Sequence, residues 1–242
     1  MRAILVCVDY TDLLSITLPW NAHHFDEIMV VTAPEDKLTQ TYVGNMEKKV
    51  KLHVTDAFYR DGATFNKFRA MEEALDVYGR HGLLCIMDAD ILWPQEVLGL
   101  EYHLGFLYVP KRYMLDDVTK WTPTLDWTKL PLNVDVEFAG YSQIFHAEDP
   151  RLGKPPWHQI DWKHAGGADS FFQYKWPEAK KVRPPFRVLH LGEARKNWCG
   201  RSTPYTDGSL NPMSKLRQEQ LREMTSHRHG PNPYLHEKID LS

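Results

Sequence analysis

The chain has 242 residues, 43% of them hydrophobic and 25% charged, and a net charge of −3. That is ordinary for a soluble globular protein of one large or two small domains. No apolar run approaches the roughly eighteen residues a transmembrane helix needs, which argues against membrane insertion.

The opening MRAILVCVDYTD is too short in its apolar run for a signal peptide and meets an acid at Asp9. Cys7, Cys85 and Cys199 are odd in number and far apart. They read as reduced packing residues, and a cytoplasmic location is expected. Charge is uneven: residues 1–174 carry 16 Lys/Arg against 25 Asp/Glu, and residues 175–242 carry 13 against 7. The C-terminal quarter is therefore either a surface for a polyanion or a solvated basic face.

Along the chain, residues 3–8, 27–33, 50–55 and 83–87 are short apolar, β-branched runs that predict buried strands. Between the third and fourth, Phe65, Phe68, Met71, Leu75 and Tyr78 recur at helical steps, and Gly79 and Gly82 end the pattern. Alternating strands and helices predict βαβ units and a mainly parallel sheet flanked by helices. Past Pro94, residues 105–110, 138–147 and 186–192 predict further strands, and 111–135 predicts a loop excursion. A short helix is expected over 169–176, with Asp169 as its cap, and another over 213–225. There is no internal repeat and no clean linker. A single domain is expected, with a decorated C-terminal half and a basic C-terminal extension (201–242).

The stretch LLCIMDADILWP carries the chemistry. An apolar strand ends in Asp88 and Asp90, one residue apart, at the carboxyl edge where open parallel sheets bind ligands. Two carboxylates brought together repel unless a cation accompanies them. Hard cations such as Mg²⁺ or Mn²⁺ take one or two carboxylates plus substrate phosphates and water. A solvated acidic turn is the plain alternative, and an isolated D-x-D is weak evidence.

MDADILWP resembles the D-x-D signature of GT-A-fold glycosyltransferases. ILVCVDYTDLL is similar to that fold's first strand and nucleotide-holding turn, and GATFNKFRAMEEAL to its helix before D-x-D. FAGYSQIFHA resembles its acceptor-bordering strand, GGADSFFQYKWP its Gly-Gly-x-Asp segment, and RVLHLGE the late strand with a third metal ligand. The resemblance spans roughly residues 1–200. HLGEARKNWCGR further resembles a segment of phage-encoded glycosyltransferases, which would place the protein in a host cytoplasm.

The resemblance implies a GT-A fold with a nucleotide-binding half (1–92) and an acceptor-binding half (93–200), a nucleotide-sugar donor (a UDP-sugar first) and Mn²⁺ or Mg²⁺ as cofactor. It implies Asp88, Asp90 and His190 as metal residues, with Asp88 alternatively on the ribose. Asp9, Thr32, Asp56, Lys67 and Arg69 are expected at the nucleotide sugar. Asp169, after two glycines that let backbone approach a ligand, is expected as catalytic base or, for retained configuration, as acceptor-positioning group. Tyr141, Gln143, Gly167, Arg195, Lys196 and Arg201 are expected at the acceptor.

A sugar nucleotidyltransferase would need a Gly-rich loop after the first strand, which VDYTDLLSITLP lacks. No G-x-G-x-x-G follows a strand, and there is no P-loop, which disfavours a dehydrogenase or P-loop NTPase. A noncatalytic nucleic-acid binder would use the basic tail with Trp176, Trp198 and Tyr205 as stacking surfaces. For a transferase the acceptor expected from the basic tail is a hydroxymethylated base in DNA, reached by phosphate contacts and base extrusion. The competing acceptor is a saccharide in polysaccharide or lipopolysaccharide synthesis, with Trp93, Trp121, Trp127, Trp157 and Trp162 as stacking candidates.

Overall fold

The computed structural model describes residues 1–97, 100–133, 138, 140–193 and 196–226. The first four apolar runs are strands β1 (Arg2–Val6), β2 (Glu27–Thr32), β3 (Val50–Val54) and β4 (Leu83–Asp88). They alternate with α1 (Thr11–Asn21), α2 (Lys37–Gly44) and α3 (Lys67–Tyr78). After β4 come β5 (Ile91–Leu92), β6 (Leu107–Tyr108), β7 (Lys111–Leu115), β8 (Leu132–Asn133) and β9 (Ser142–His146). The chain continues through α4 (Ala168–Gln173), β10 (Lys181–Val182), β11 (Arg187–Leu191) and α5 (Ser214–Ser226).

Seven strands form one sheet in the order β10-β6-β9-β4-β1-β2-β3. The β4-β1-β2-β3 half is parallel, and β9 runs antiparallel to both β4 and β6. This α/β arrangement with a mostly parallel centre is the fold class the alternation predicted. Strands β1, β2 and β4 are buried on both faces, hence their near-continuous apolar runs, whereas the edge strand β3 leaves Lys51 and Val54 exposed. All three cysteines are buried and free.

Helix α3 starts where the Asn66 side chain accepts the Arg69 N–H at 3.0 Å, and it buries Phe68, Met71 and Leu75. It stops at Gly79, whose φ of 89° suits a residue without Cβ. Helix α1 was not among the sequence expectations. Pro19 lies inside it and removes one backbone donor, yet Leu13, Leu14, Thr17, Leu18 and Asn21 give it a buried face.

The second half departs from the expected boundaries. Lys111–Leu115 lies in the segment expected to be loop, but it pairs in parallel with β11, Arg112 opposite Val188 and Met114 opposite His190. Its charged start disguises a strand whose main partner, β11, lies far along the chain, with β8 on its other side. It belongs to a second, four-stranded sheet in the order β5-β11-β7-β8. The strand expected over 138–147 begins at Ser142, and that over 105–110 shrinks to Leu107–Tyr108.

A buried carboxylate ties α3 to the second half. Glu72 accepts from the Trp157 and His158 backbone N–H groups, both at 3.0 Å, and meets His158 Nδ1 at 2.6 Å and Arg80 Nη1 at 2.8 Å. Burial alone would raise this carboxyl, but His158, Arg80 and the Trp157 N–H hold it below its ordinary value. Its stabilisation is therefore present above the unfolded carboxylate range, near pH 4.3, and is lost as pH falls through the folded value. Glu72→Gln is expected to destabilise the fold by about 3–5 kcal/mol at neutral pH and to flatten the acid limb of stability against pH. Urea titrations at several pH values measure both effects.

Candidate functional site

The register of the large sheet sets Val6 of β1 opposite Asp88 of β4, so both strands end at one edge. There the chain leaves the large sheet at Ala89 and enters the small one. Ile91 pairs with His190, and the Asp90 carbonyl accepts the Leu191 N–H at 2.9 Å. That pairing is what brings Asp90 and His190 together, with 3.7 Å between Asp90 Oδ2 and His190 Nε2. The other ring nitrogen of His190 lies 2.9 Å from the Gly192 carbonyl. Because a carbonyl only accepts, Nδ1 carries a hydrogen, and a neutral ring held this way would offer its Nε2 lone pair on the side of Asp90.

Asp90 is 8% exposed, and its Oδ1 is buried with no hydrogen-bond partner. Burial pushes its carboxyl up; His190 opposes that push, Asp88 adds to it, and Arg112 opposes it. A buried carboxylate oxygen without a donor, next to an imidazole lone pair, is the donor chemistry of a divalent-cation site. Among the described residues no three His, Cys, Asp or Glu side chains converge closely enough to cage an ion unaided. The pair fits an ion whose remaining ligands come from water and a substrate's phosphates.

Asp88 faces a different partner. Lys67, the first residue of α3, donates from Nζ to Asp88 Oδ1 at 2.9 Å. Burial alone would lower this ammonium, but Asp88, Asp169 and Asp90 together raise it, so Lys67 stays charged. Its positive charge therefore lies within reach of Asp88, Asp90 and Asp169.

Asp169 lies one residue inside α4 and is not its cap. That position belongs to Gly167, whose φ of 100° is left-handed. The Asp169 Oδ2 instead accepts the Gly140 N–H at 2.7 Å, which aims the side chain across to the loop before β9. A Cβ on residue 140 would fall 2.5 Å from the Asp169 Cβ, so only glycine permits this approach. Gly140→Ala is expected to displace Asp169, lowering turnover at least tenfold while costing roughly 1–3 kcal/mol of stability. Activity assays beside thermal melts would separate the two effects.

Several residues expected at this site stand elsewhere. Arg69 turns away from Asp88 to Asp61 (2.7 Å) and the Ile160 carbonyl (3.1 Å), because it lies two positions on from Lys67 and so on another side of α3. Asp56 is exposed and paired with Arg60. Thr32 is fully buried and donates to Asp36 Oδ2 at 3.3 Å. Of the residues expected to meet an acceptor, Gln143 is 0% exposed and donates to the Phe138 carbonyl. Tyr141 is buried, with its hydroxyl on the Pro110 carbonyl at 2.6 Å and the Arg112 guanidinium over its ring at 4.2 Å. Both are packed into the core, where β9 is buried on both faces and Tyr141 directly precedes it. Arg201 is 1% exposed and forms an ion pair with Asp12. Lys196 is exposed beside Glu193, and Arg195 lies outside the described residues.

Residues not anticipated also stand here. Tyr10 follows the first strand's end, and its phenol is pushed well up by burial and then by Asp90. Arg112 reaches the same carboxylate electrostatically from β7. A tyrosine directly after Asp9 was a usable signal. Arg112 carried none, because its segment read as loop.

No family model and no characterised protein sequence matches the chain. Solved structures do match its fold. Superposition on GalNAc-T7 with UDP, GalNAc and Mn²⁺ gives a TM-score of 0.52 at 14% identity, covering 94% of this chain and 49% of that one. The inositol-1-phosphate CTP transferase from T. maritima gives 0.48 at 9% identity over 92% and 96% of the two chains. The galactosyltransferase LgtC with donor and acceptor sugar analogues gives 0.46 at 11% identity over 94% and 96%. The fold is therefore the α/β architecture of GT-A glycosyltransferases, and this chain spans about half the length of GalNAc-T7.

Proposed function

We propose that the protein is a metal-dependent glycosyltransferase that moves a sugar from a nucleoside-diphosphate sugar to an acceptor hydroxyl. The observation that carries this reading is the meeting of Asp90, with its unpartnered oxygen, and His190 at the edge where β1 and β4 end, on a fold of the GT-A kind. Asp90 and His190 would hold Mn²⁺ or Mg²⁺, which when bound neutralises charge on a departing diphosphate. Asp88, anchored by Lys67, faces the water or ribose side of the same edge. Lys67 offsets part of the repulsion among Asp88, Asp90 and Asp169.

Asp169 is the proton acceptor if the anomeric carbon inverts. The acceptor oxygen bonds to that carbon, the nucleoside diphosphate leaves, and the hydroxyl proton passes to the carboxylate. With retained configuration Asp169 positions the hydroxyl instead. NMR of the product's anomeric centre distinguishes the two.

For the acceptor, carbohydrate is better supported than DNA. The segment leading to Asp169 carries half-buried Trp162 against His164 and Phe171, ring centroids 5.7 and 5.5 Å away, and Trp198 lies against Gly166. Flat aromatic faces beside a hydroxyl-activating group suit a sugar ring. The DNA reading drew on Arg195, Lys196 and Arg201, and the last is buried in an internal ion pair. A screen of nucleotide sugars against oligosaccharides and hydroxymethylated DNA, read by mass spectrometry, tests both. Transfer to an oligosaccharide, insensitive to salt, is expected. Transfer to DNA alone, with acceptor binding that weakens by roughly 0.9 log unit per phosphate contact per log unit of salt, would reverse the choice.

A further inference from the structure

Asp9 is one of two described non-glycine residues with positive φ, at 66°. An aspartate held there costs on the order of 1–3 kcal/mol and persists only where its surroundings fix it. Here they do so at every polar atom. Its N–H donates to Asp36 Oδ2 at 2.7 Å, and its carbonyl accepts from Arg201 at 2.9 Å. Its carboxylate accepts the Tyr205 hydroxyl on Oδ1 at 2.7 Å, and Asn211 Nδ2 (2.6 Å) and Arg217 (3.1 Å) on Oδ2.

Four of those five partners lie between residues 201 and 217, nearly two hundred positions along the chain. The same segment grips the neighbouring residues. Arg201 binds Asp12, the Thr206 N–H donates to Asp12 Oδ2 at 2.8 Å, and the Arg201 guanidinium lies 4.8 Å from the Tyr10 ring and 4.6 Å from that of Tyr205. Arg217 also donates to the Arg201 carbonyl at 2.6 Å, which locks the segment to itself. Gly200 makes room for this, since a Cβ there would fall 2.9 Å from Arg217 Nε.

We propose that residues 201–217 form a clasp that holds the Asp9–Tyr10 turn in the conformation in which it borders the donor site, making Arg201, Tyr205, Asn211 and Arg217 positioning residues for donor binding. This rests on the glycosyltransferase reading and extends it. The Asp9 carboxylate, already bound to three side-chain donors, is then a fastening point for the clasp. Recognition of the nucleotide falls to Tyr10 and the backbone of the turn. It follows that the described part of the basic C-terminal segment works inside the catalytic unit, although every recognisable motif precedes it.

The test uses the full chain carrying Tyr205→Phe with Asn211→Ala, and separately Tyr205→Phe alone, which removes one hydroxyl and keeps the ring. Binding of UDP, GDP, ADP and dTDP is measured by calorimetry with Mn²⁺, alongside donor KM, kcat at saturating donor, and amide exchange over residues 7–12. The double variant is expected to raise donor KM and the Kd of the preferred diphosphate tenfold or more, with kcat changed less than threefold. Exchange over 7–12 should be faster while β4 stays protected, and Tyr205→Phe should show the same pattern at smaller amplitude. A double variant that binds as tightly as the unmodified chain would overturn the clasp and leave the transferase reading standing. An equal loss of kcat and protection throughout, in both variants, would also overturn it, as a general destabilisation. If the unmodified chain binds none of the four diphosphates, the donor reading falls and the clasp with it.

Discussion

Asp90→Ala is expected to lower metal-dependent transfer on the order of a thousandfold while leaving the metal-free protein as stable as before, or more so. The two effects have one cause. In the metal-free protein the Asp90 carboxylate is buried, repelled by Asp88, and left with an oxygen that no donor meets. Such a group costs free energy when nothing neutralises it. Because its folded pKa is raised, its ionisation opposes folding increasingly as pH climbs above the unfolded value near 4, so its removal relieves a cost at neutral pH. With the ion bound, the same carboxylate contributes several kcal/mol of charge stabilisation to the transition state, and that contribution disappears with it. Thermal melts with increasing Mn²⁺ read this directly. The unmodified protein should gain stability, by about 2.7 kcal/mol at a hundredfold excess over Kd, and the variant should gain little.

Asp169→Asn is the second large effect expected. An amide cannot take a proton from the acceptor, so an inverting enzyme should lose roughly 10²–10⁴ in kcat with donor KM and metal affinity nearly intact. The Gly140 N–H can still donate to the amide oxygen, so the loop before β9 should keep its place and the melting temperature should change little. Nearly normal turnover combined with a lower melting temperature would assign Asp169 a purely structural role.

The alternation of apolar runs with the α3 periodicity made the parallel half legible, because β1, β2 and β4 are buried on both sides and their runs are almost wholly apolar. The acidic end of β4 was legible for the opposite reason: two charges at the end of a buried strand have no packing explanation. What escaped was everything fixed by long-range pairing. Lys111–Leu115 looks like loop until β11 supplies its partner, and only that pairing brings Arg112 toward Asp90. Arg201 looks like a surface cation in a basic tail until Asp12 and the Asp9 carbonyl are found beside it. Tyr141 precedes β9 and Gln143 lies within it, and the sequence does not tell that this strand is buried on both faces. Asp169 was expected to cap its own helix, but its hydrogen bond runs to Gly140 instead.

The most direct measurement of the central claim is release of nucleoside diphosphate from a panel of nucleotide sugars, UDP-sugars first, by the purified protein with Mn²⁺. It should be run beside the same protein with chelator and beside Asp90→Ala. The expected result is release from at least one nucleotide sugar that requires the metal, stops with chelator, is at background in the variant, and rises when the acceptor is added. Release that persists undiminished in chelator and in Asp90→Ala, or no release from any nucleotide sugar with metal and acceptor candidates present, would contradict a metal-dependent glycosyltransferase.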